Sequence, residues 1–128
     1  MTTIIMSIKG RHIRHMEEGR KGWELRKTKP GFRPPYRVLL CQVGTGGRIV
    51  AEFICNSCIS LASWRDVDLA EMACITADEV AGYRGKGKQT IYGWQVEEFR
   101  RADLGHVADW GAERPPQSWC YAHEAPEA

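Results

Sequence analysis

A chain of 128 residues, 43% hydrophobic and 27% charged, fits one domain with a single core, leaves no room for two independent ones, and has the balance of a folded rather than a disordered protein. No apolar run nears the roughly 20 residues of a membrane-crossing helix, and Met1 to Met6 lacks the basic and apolar segments of a secretory leader, so a cytosolic setting is expected. The formal charge of +2 hides a division: Met1 to Val50 carries 11 Lys and Arg against 3 Asp and Glu, Ala51 to Ala128 carries 7 against 13, and so basic a half suits an anionic partner.

Ile4 to Ile8 is a short apolar run that reads as a first, mostly buried strand. Arg11 to Glu18 follows as a short helix, with Ile13 and Met16 as its apolar edge and His12 and His15 among its solvated positions. Gly19 suits the left-handed residue that ends a helix. Gly22 to Lys27 is the second strand, with Trp23 and Leu25 on one side and Glu24 and Arg26 on the other. Because Lys21 precedes a glycine, the local turn sets the direction of its ammonium. Thr28 to Pro35, with three prolines and a glycine, is a loop that carries Lys29, Phe32 and Arg33.

Tyr36 to Val43 is an apolar strand, and Gly44-Thr45-Gly46-Gly47 turns it back. Arg48 to Leu61 returns as one strand, with Ile49, Ala51, Phe53 and Cys55 on one face. Within Asp66 to Ala81, Thr76-Ala77-Asp78-Glu79 is a capping box, and it opens a helix that runs to about Gly82. Tyr83 to Lys88 is a basic, glycine-rich loop. Thr90 to Arg100 is a further strand, Asp103 to Arg114 a loop with a helical turn, and Pro115 to Ala122 a closing strand. Residues 1–123 form one domain, and 124–128 a frayed tail.

Five cysteines, an odd number, read as reduced thiols. Cys55-x-x-Cys58 and Cys120-x-x-His123 have zinc-ligand types, but residues three apart on a strand face opposite sides. The thiols therefore read as small hydrophobes, with no metal expected. Gly85-Lys86-Gly87-Lys88 lacks the spacing and the hydroxyl of a nucleotide-triphosphate loop. Lys86 and Lys88 instead suit the backbone of a nucleic acid. Tyr36, Tyr83 and Tyr92, at strand or loop ends, are candidate stacking platforms, whereas Trp94 and Trp119 read as core. Ser118 is a candidate nucleophile for which Lys21 would be the base.

Several segments together resemble the ASCH domain family of the PUA-like superfamily. Ile4 to Lys9, the short helix, and Gly19-x-Lys21-x-x-Glu24-x-Arg26 look like its opening strand, helix and signature. Val50 to Cys55, Tyr92-Gly93-Trp94 and Pro115-Pro116-Gln117-Ser118-Trp119 resemble later segments in the same order. The resemblance implies an α+β fold, a small mixed or antiparallel β-barrel with two or three short helices at its rim. It also implies a cleft lined by the signature Lys, Glu and Arg.

Members are associated with RNA or nucleotide binding, so single-stranded RNA or a nucleotide is the expected partner, with no cofactor and no membrane. The binding residues are then Lys21, Glu24, Arg26, Tyr36, Lys86, Lys88 and Tyr92. Some members hydrolyse nucleic acid or modified nucleosides, which gives an alternative reading as a ribonuclease or amidohydrolase using Lys21 with Glu24 or Ser118. The branch that deacetylates acetylcytidine has a threonine where this chain has Glu24, so that chemistry lacks its nucleophile here.

Overall fold

The structure, a computed structural model, describes residues 1–85 and 90–123. Lys86, Lys88 and the tail 124–128 lie outside the described residues. In chain order the elements are β1 (Thr2–Ile8), α1 (Gly10–Glu17), β2 (Trp23–Arg26), β3 (Tyr36–Gln42), β4 (Ile49–Cys55), β5 (Cys58–Ser60), α2 (Asp66–Ala73) and α3 (Ala77–Arg84). Next come β6 (Tyr92–Gln95), β7 (Glu97–Arg101), a 3-10 turn (Val107–Trp110) and β8 (Trp119–Tyr121).

The strands form two sheets, one ordered β7-β4-β3-β1-β8 and the other β2-β6-β5. β1 lies parallel to β3, and the other pairings are antiparallel. The arrangement is mixed α+β, and the hydrogen bonds between described strands close no barrel.

β1 and β3 sit inside the larger sheet, covered on both faces. Ile4, Met6 and Ile8 join Val38, Leu40, Phe53 and Trp94 in one core, under Ile13 and Met16 of α1. Ile5, Leu39, Cys41, Ile49 and Val107 form a second core on the opposite face. Unbroken apolar runs are what strands buried on both faces require.

Two strands expected to be continuous are each divided between the sheets. Arg48 to Leu61 becomes β4 and β5, and Thr90 to Arg100 becomes β6 and β7. They form one antiparallel ribbon, with Ile54 opposite Glu97 in the large sheet and Cys58 opposite Trp94 in the small one. A ribbon passes between sheets by bending, and the bend shows as a register shift between Glu52 and Ile54 and a left-handed Glu98 (φ 49°). A second shift leaves Val50 unpaired between Leu40↔Ala51 and Cys41↔Ile49. The extra residue moves Ile49 to the opposite core from Ala51, Phe53 and Cys55, although alternation alone places them together.

Thr76 and Glu79 make both bonds of the expected capping box at the start of α3. α2 was not legible, because Asp66 to Ala73 mixes acids with Ala and Leu and lacks a side-chain cap. The α2–α3 pair covers a third core of Leu25, Leu61, Leu69, Val80 and Ile91. Gly93 lets β6 pass beneath that layer, since a Cβ there would meet Leu61 at 2.8 Å and Trp23 at 3.0 Å.

Candidate functional site

The turn that leads into β2 is fixed by the end of α1. The Gly19 amide donates to the Met16 carbonyl (3.0 Å) and the Arg20 amide to the His15 carbonyl (2.9 Å), with Gly19 left-handed at φ 74°. These are the two bonds of a Schellman motif. The Lys21 amide also donates to the His15 carbonyl (3.1 Å), so the chain is held back against the helix and the Lys21 side chain turns inward.

Lys21 is 2% exposed and Glu24 6%. A half-buried strand with a solvated charged face, the ordinary reading of such a segment, therefore does not hold here. The alternation does hold: Leu25 pairs with Gly93 and faces the helices, while Glu24 pairs with Trp94 and faces the larger sheet.

Glu24 joins two cations. Oε1 lies 3.4 Å from Lys21 Nζ, and Oε2 accepts from Arg26 at 3.0 Å. Lys21 also donates to the Ala73 carbonyl in the last turn of α2, satisfying a carbonyl that the helix leaves free. Burial pushes Glu24 up, but Arg26 and then Lys21 outweigh it and bring the carboxyl down to about 2.

Arg26 braces three parts of the chain. One terminal nitrogen donates to the Ser118 carbonyl (3.3 Å) and Oγ (3.2 Å), the other to the Ser7 carbonyl (2.9 Å) and Glu24. Ser7 Oγ in turn donates to the Pro116 carbonyl at 2.6 Å. A lysine could hold the charge but not this fork. Arg26→Lys is expected to lower the unfolding free energy by about 2 kcal/mol; an unmoved urea midpoint would show that the brace carries no stability.

A cleft of about 350 Å³ opens beside these residues, lined by Ser7, Lys9, His12, Glu24, Arg26, Glu79, Tyr83 and Gln117 among others. Burial, and then the Lys21 charge, hold His12 down to about 4 against the pull of Glu24, so the ring is neutral near pH 7. His12 Nδ1 is buried with no hydrogen-bond partner.

The signature residues are thus brought together, while other candidates stand apart. Lys21 lies beneath the lining rather than in it. The hydrogen bonds of Ser118 Oγ and Lys21 go to Arg26 and Ala73, respectively. Tyr36 is in the core against Trp94, and its hydroxyl donates to the Phe32 carbonyl, so it presents no face to a ligand. Tyr92 pairs with Arg26 across the small sheet, outside the cleft lining. Trp94 is core, as expected, and Trp119 packs at its margin.

Lys9, His12, Glu79 and Gln117 were missed as lining residues. His12 had one sign: it lies four residues before Met16, beside the apolar edge of α1. Among the described residues no group of three or more His, Cys, Asp or Glu could hold a metal. Burial pushes Cys55 up to about 11 and Cys58 to about 12, which keeps both protonated. No helix of the described residues is long and apolar enough to cross a membrane.

No family model and no curated protein matches the sequence. Solved structures do. The chain is similar to ASCH from Zymomonas mobilis, with a TM-score of 0.73 at 14% identity over 94% of this chain and 87% of that one. A serine-to-alanine mutant of the same protein gives a TM-score of 0.74 at 12% identity, covering 94% and 87%. A tyrosine-to-phenylalanine mutant gives 0.73 at 14%, covering 94% and 90%. The resemblance drawn from the motifs therefore extends to the fold.

Proposed function

We propose, from the ASCH fold and the cleft it carries, that this chain binds RNA or a nucleotide derived from it. One observation carries the reading. A buried Lys21–Glu24–Arg26 chain, two cations and one anion, puts net positive charge at the base of a cleft whose walls hold Lys9, Gln117 and Tyr83. Fixed charge behind a partly apolar wall attracts phosphate without reorganising when it arrives. Glu24 faces the cleft and can accept from an exocyclic amine of a base, and Tyr83 can flank the base ring. Volume also fits, since about 350 Å³ lies at the small end of ligand pockets.

Titration with single-stranded RNA at low and high salt tests the proposal. Affinity is expected to fall as salt rises. Lys9→Ala, at an exposed position, is expected to weaken binding roughly fivefold to tenfold. Absence of binding, or binding indifferent to Lys9→Ala and Arg26→Ala, would sink it.

A second reading, hydrolysis of RNA or a modified nucleoside, is favoured by His12, a neutral ring on the cleft wall. In it Glu24 or Ser118 acts with Lys21, and Ser118 must first leave Arg26. Labelled RNA and modified nucleosides, incubated with the protein, separate the two readings. Products that disappear in Lys21→Ala indicate an enzyme, and intact substrate indicates a binding module.

A further inference from the structure

Phe32, the most exposed aromatic ring among the described residues, and Tyr121 lie outside the cleft lining and end one series of ring contacts. Trp94, 0% exposed, meets Trp119 at a centroid distance of 5.5 Å. Trp119 meets Tyr121 at 5.4 Å, and Tyr121 meets Phe32 at 5.6 Å. All three contacts are edge-to-face, with interplanar angles of 64°, 86° and 74°. The series runs from the core to the surface, where Tyr121 is 39% and Phe32 63% exposed.

The loop that carries Phe32 is laid against β8 by side-chain bonds. Trp119 Nε1 donates to Thr28 Oγ1 at 2.8 Å, and the Gly31 amide donates to the Tyr121 hydroxyl at 3.0 Å. The same loop holds exposed Lys29 and Arg33, and no acid occurs between Glu24 and Glu52. β8 is also an edge strand, paired with β1 alone among the described strands.

This surface lies close to the cleft along the chain. Gln117 lines the cleft, and Tyr121 lines a second hollow of about 430 Å³ shared with Phe32, Thr3 and His123. Gln117 and Tyr121 are four positions apart, a span of at most roughly 14 Å.

We infer that the edge of β8 with the loop before β3 is a track for single-stranded nucleic acid leading out of the cleft, so that the ligand is an oligonucleotide rather than a free nucleotide. The inference rests on the nucleotide-binding reading of the cleft. Exposed aromatic rings beside cations are the two elements by which unpaired strands are held, rings taking bases and cations taking phosphates. A duplex keeps its base faces stacked and cannot use the rings. The edge contacts hold the rings in place before binding, which reduces the cost of ordering them.

Fluorescence anisotropy with labelled hexauridylate, and competition by uridine monophosphate, test the inference. The hexamer is expected to bind at least about tenfold more tightly than the monophosphate. Phe32→Ala with Tyr121→Ala is expected to weaken the hexamer at least about fivefold and leave the monophosphate unchanged. Tyr121→Phe keeps the ring and should keep the affinity. Phe32→Ala alone acts in the same direction and serves if the double variant melts early.

Equal affinity for both ligands, or a hexamer affinity unmoved by the alanine pair, overturns the track. If that pair abolishes self-association and leaves the hexamer alone, the surface is an interface between copies, and the track is again overturned. If Lys9→Ala and Gln117→Ala affect neither ligand while the ring variants weaken the hexamer, the cleft reading fails, and the track as a path out of the cleft fails with it. No binding of either ligand overturns both.

Discussion

Glu24→Gln will lower the unfolding free energy by about 3–5 kcal/mol, the cost of removing one partner from a buried ion pair. The substitution changes shape very little, so the loss isolates charge. It leaves Lys21, 2% exposed, with the Ala73 carbonyl but without a counter-ion, and Arg26 with neutral acceptors only. For a small domain this is a large share of total stability. An exposed pair would lose less than about 1 kcal/mol, so urea unfolding near neutral pH separates the two cases.

The pH dependence gives the same prediction an independent sign. Glu24 has a folded value of about 2 against an ordinary 4.5. Its stabilisation is therefore fully present above about 4.5 and is lost as pH falls from there to about 2. The difference corresponds to about 3 kcal/mol. Glu52 is also held low, burial opposing and Arg37 and Arg100 prevailing, so acid weakens the wild type at more than one place. The difference between wild type and Glu24→Gln removes that common part: their stabilities should converge as pH falls. Parallel curves would assign the acid sensitivity elsewhere.

Trp94→Ala will cost about 3–5 kcal/mol, as truncation of a large buried ring does. Trp94 lies on the small sheet opposite Glu24 and Cys58, yet packs into the core of the large one. Tyr36 and Trp119 rest against it, and its indole N–H donates to the Thr28 carbonyl at 3.3 Å. Removing it opens the junction between the sheets, where collapse would have to shift both. Trp94→Phe retains a ring and gives up the bond to Thr28, for an expected loss of about 1–2 kcal/mol. Thermal unfolding ranks the three proteins, and an Ala variant no worse than the Phe variant would show that the ring fills no essential space.

Local signals carried much of this fold. Gly19 after an amphipathic turn, the glycines between β3 and β4, and the Thr76–Glu79 box each act within a few residues, and each stands where its chemistry places it. What escaped was decided at longer range. The divided ribbons depend on register shifts opposite distant strands, and the local alternation of Arg48 to Leu61 continues through the break. The burial of Lys21 depends on the Ala73 carbonyl, 52 residues away, and no property of Gly19 to Arg26 announces it. The signature was visible as a motif, but its depth was not. Tyr36 misled for the opposite reason: its place at a strand end suggested exposure, and Trp94 covers it.

The brace made by Arg26 also sets an order of assembly. Its partner Ser118 is 92 residues away, and the Ser7–Pro116 bond spans 109. Closing loops of that length costs entropy before any contact is made, so such bonds belong late in folding. As the chain is synthesised, α1 and β2 can form early, while the wall beside Ser118, 92 residues beyond Arg26, must wait. The cleft is thus completed late, and a chain not yet extended to Ser118 has Lys21, Glu24 and Arg26 without the space they serve.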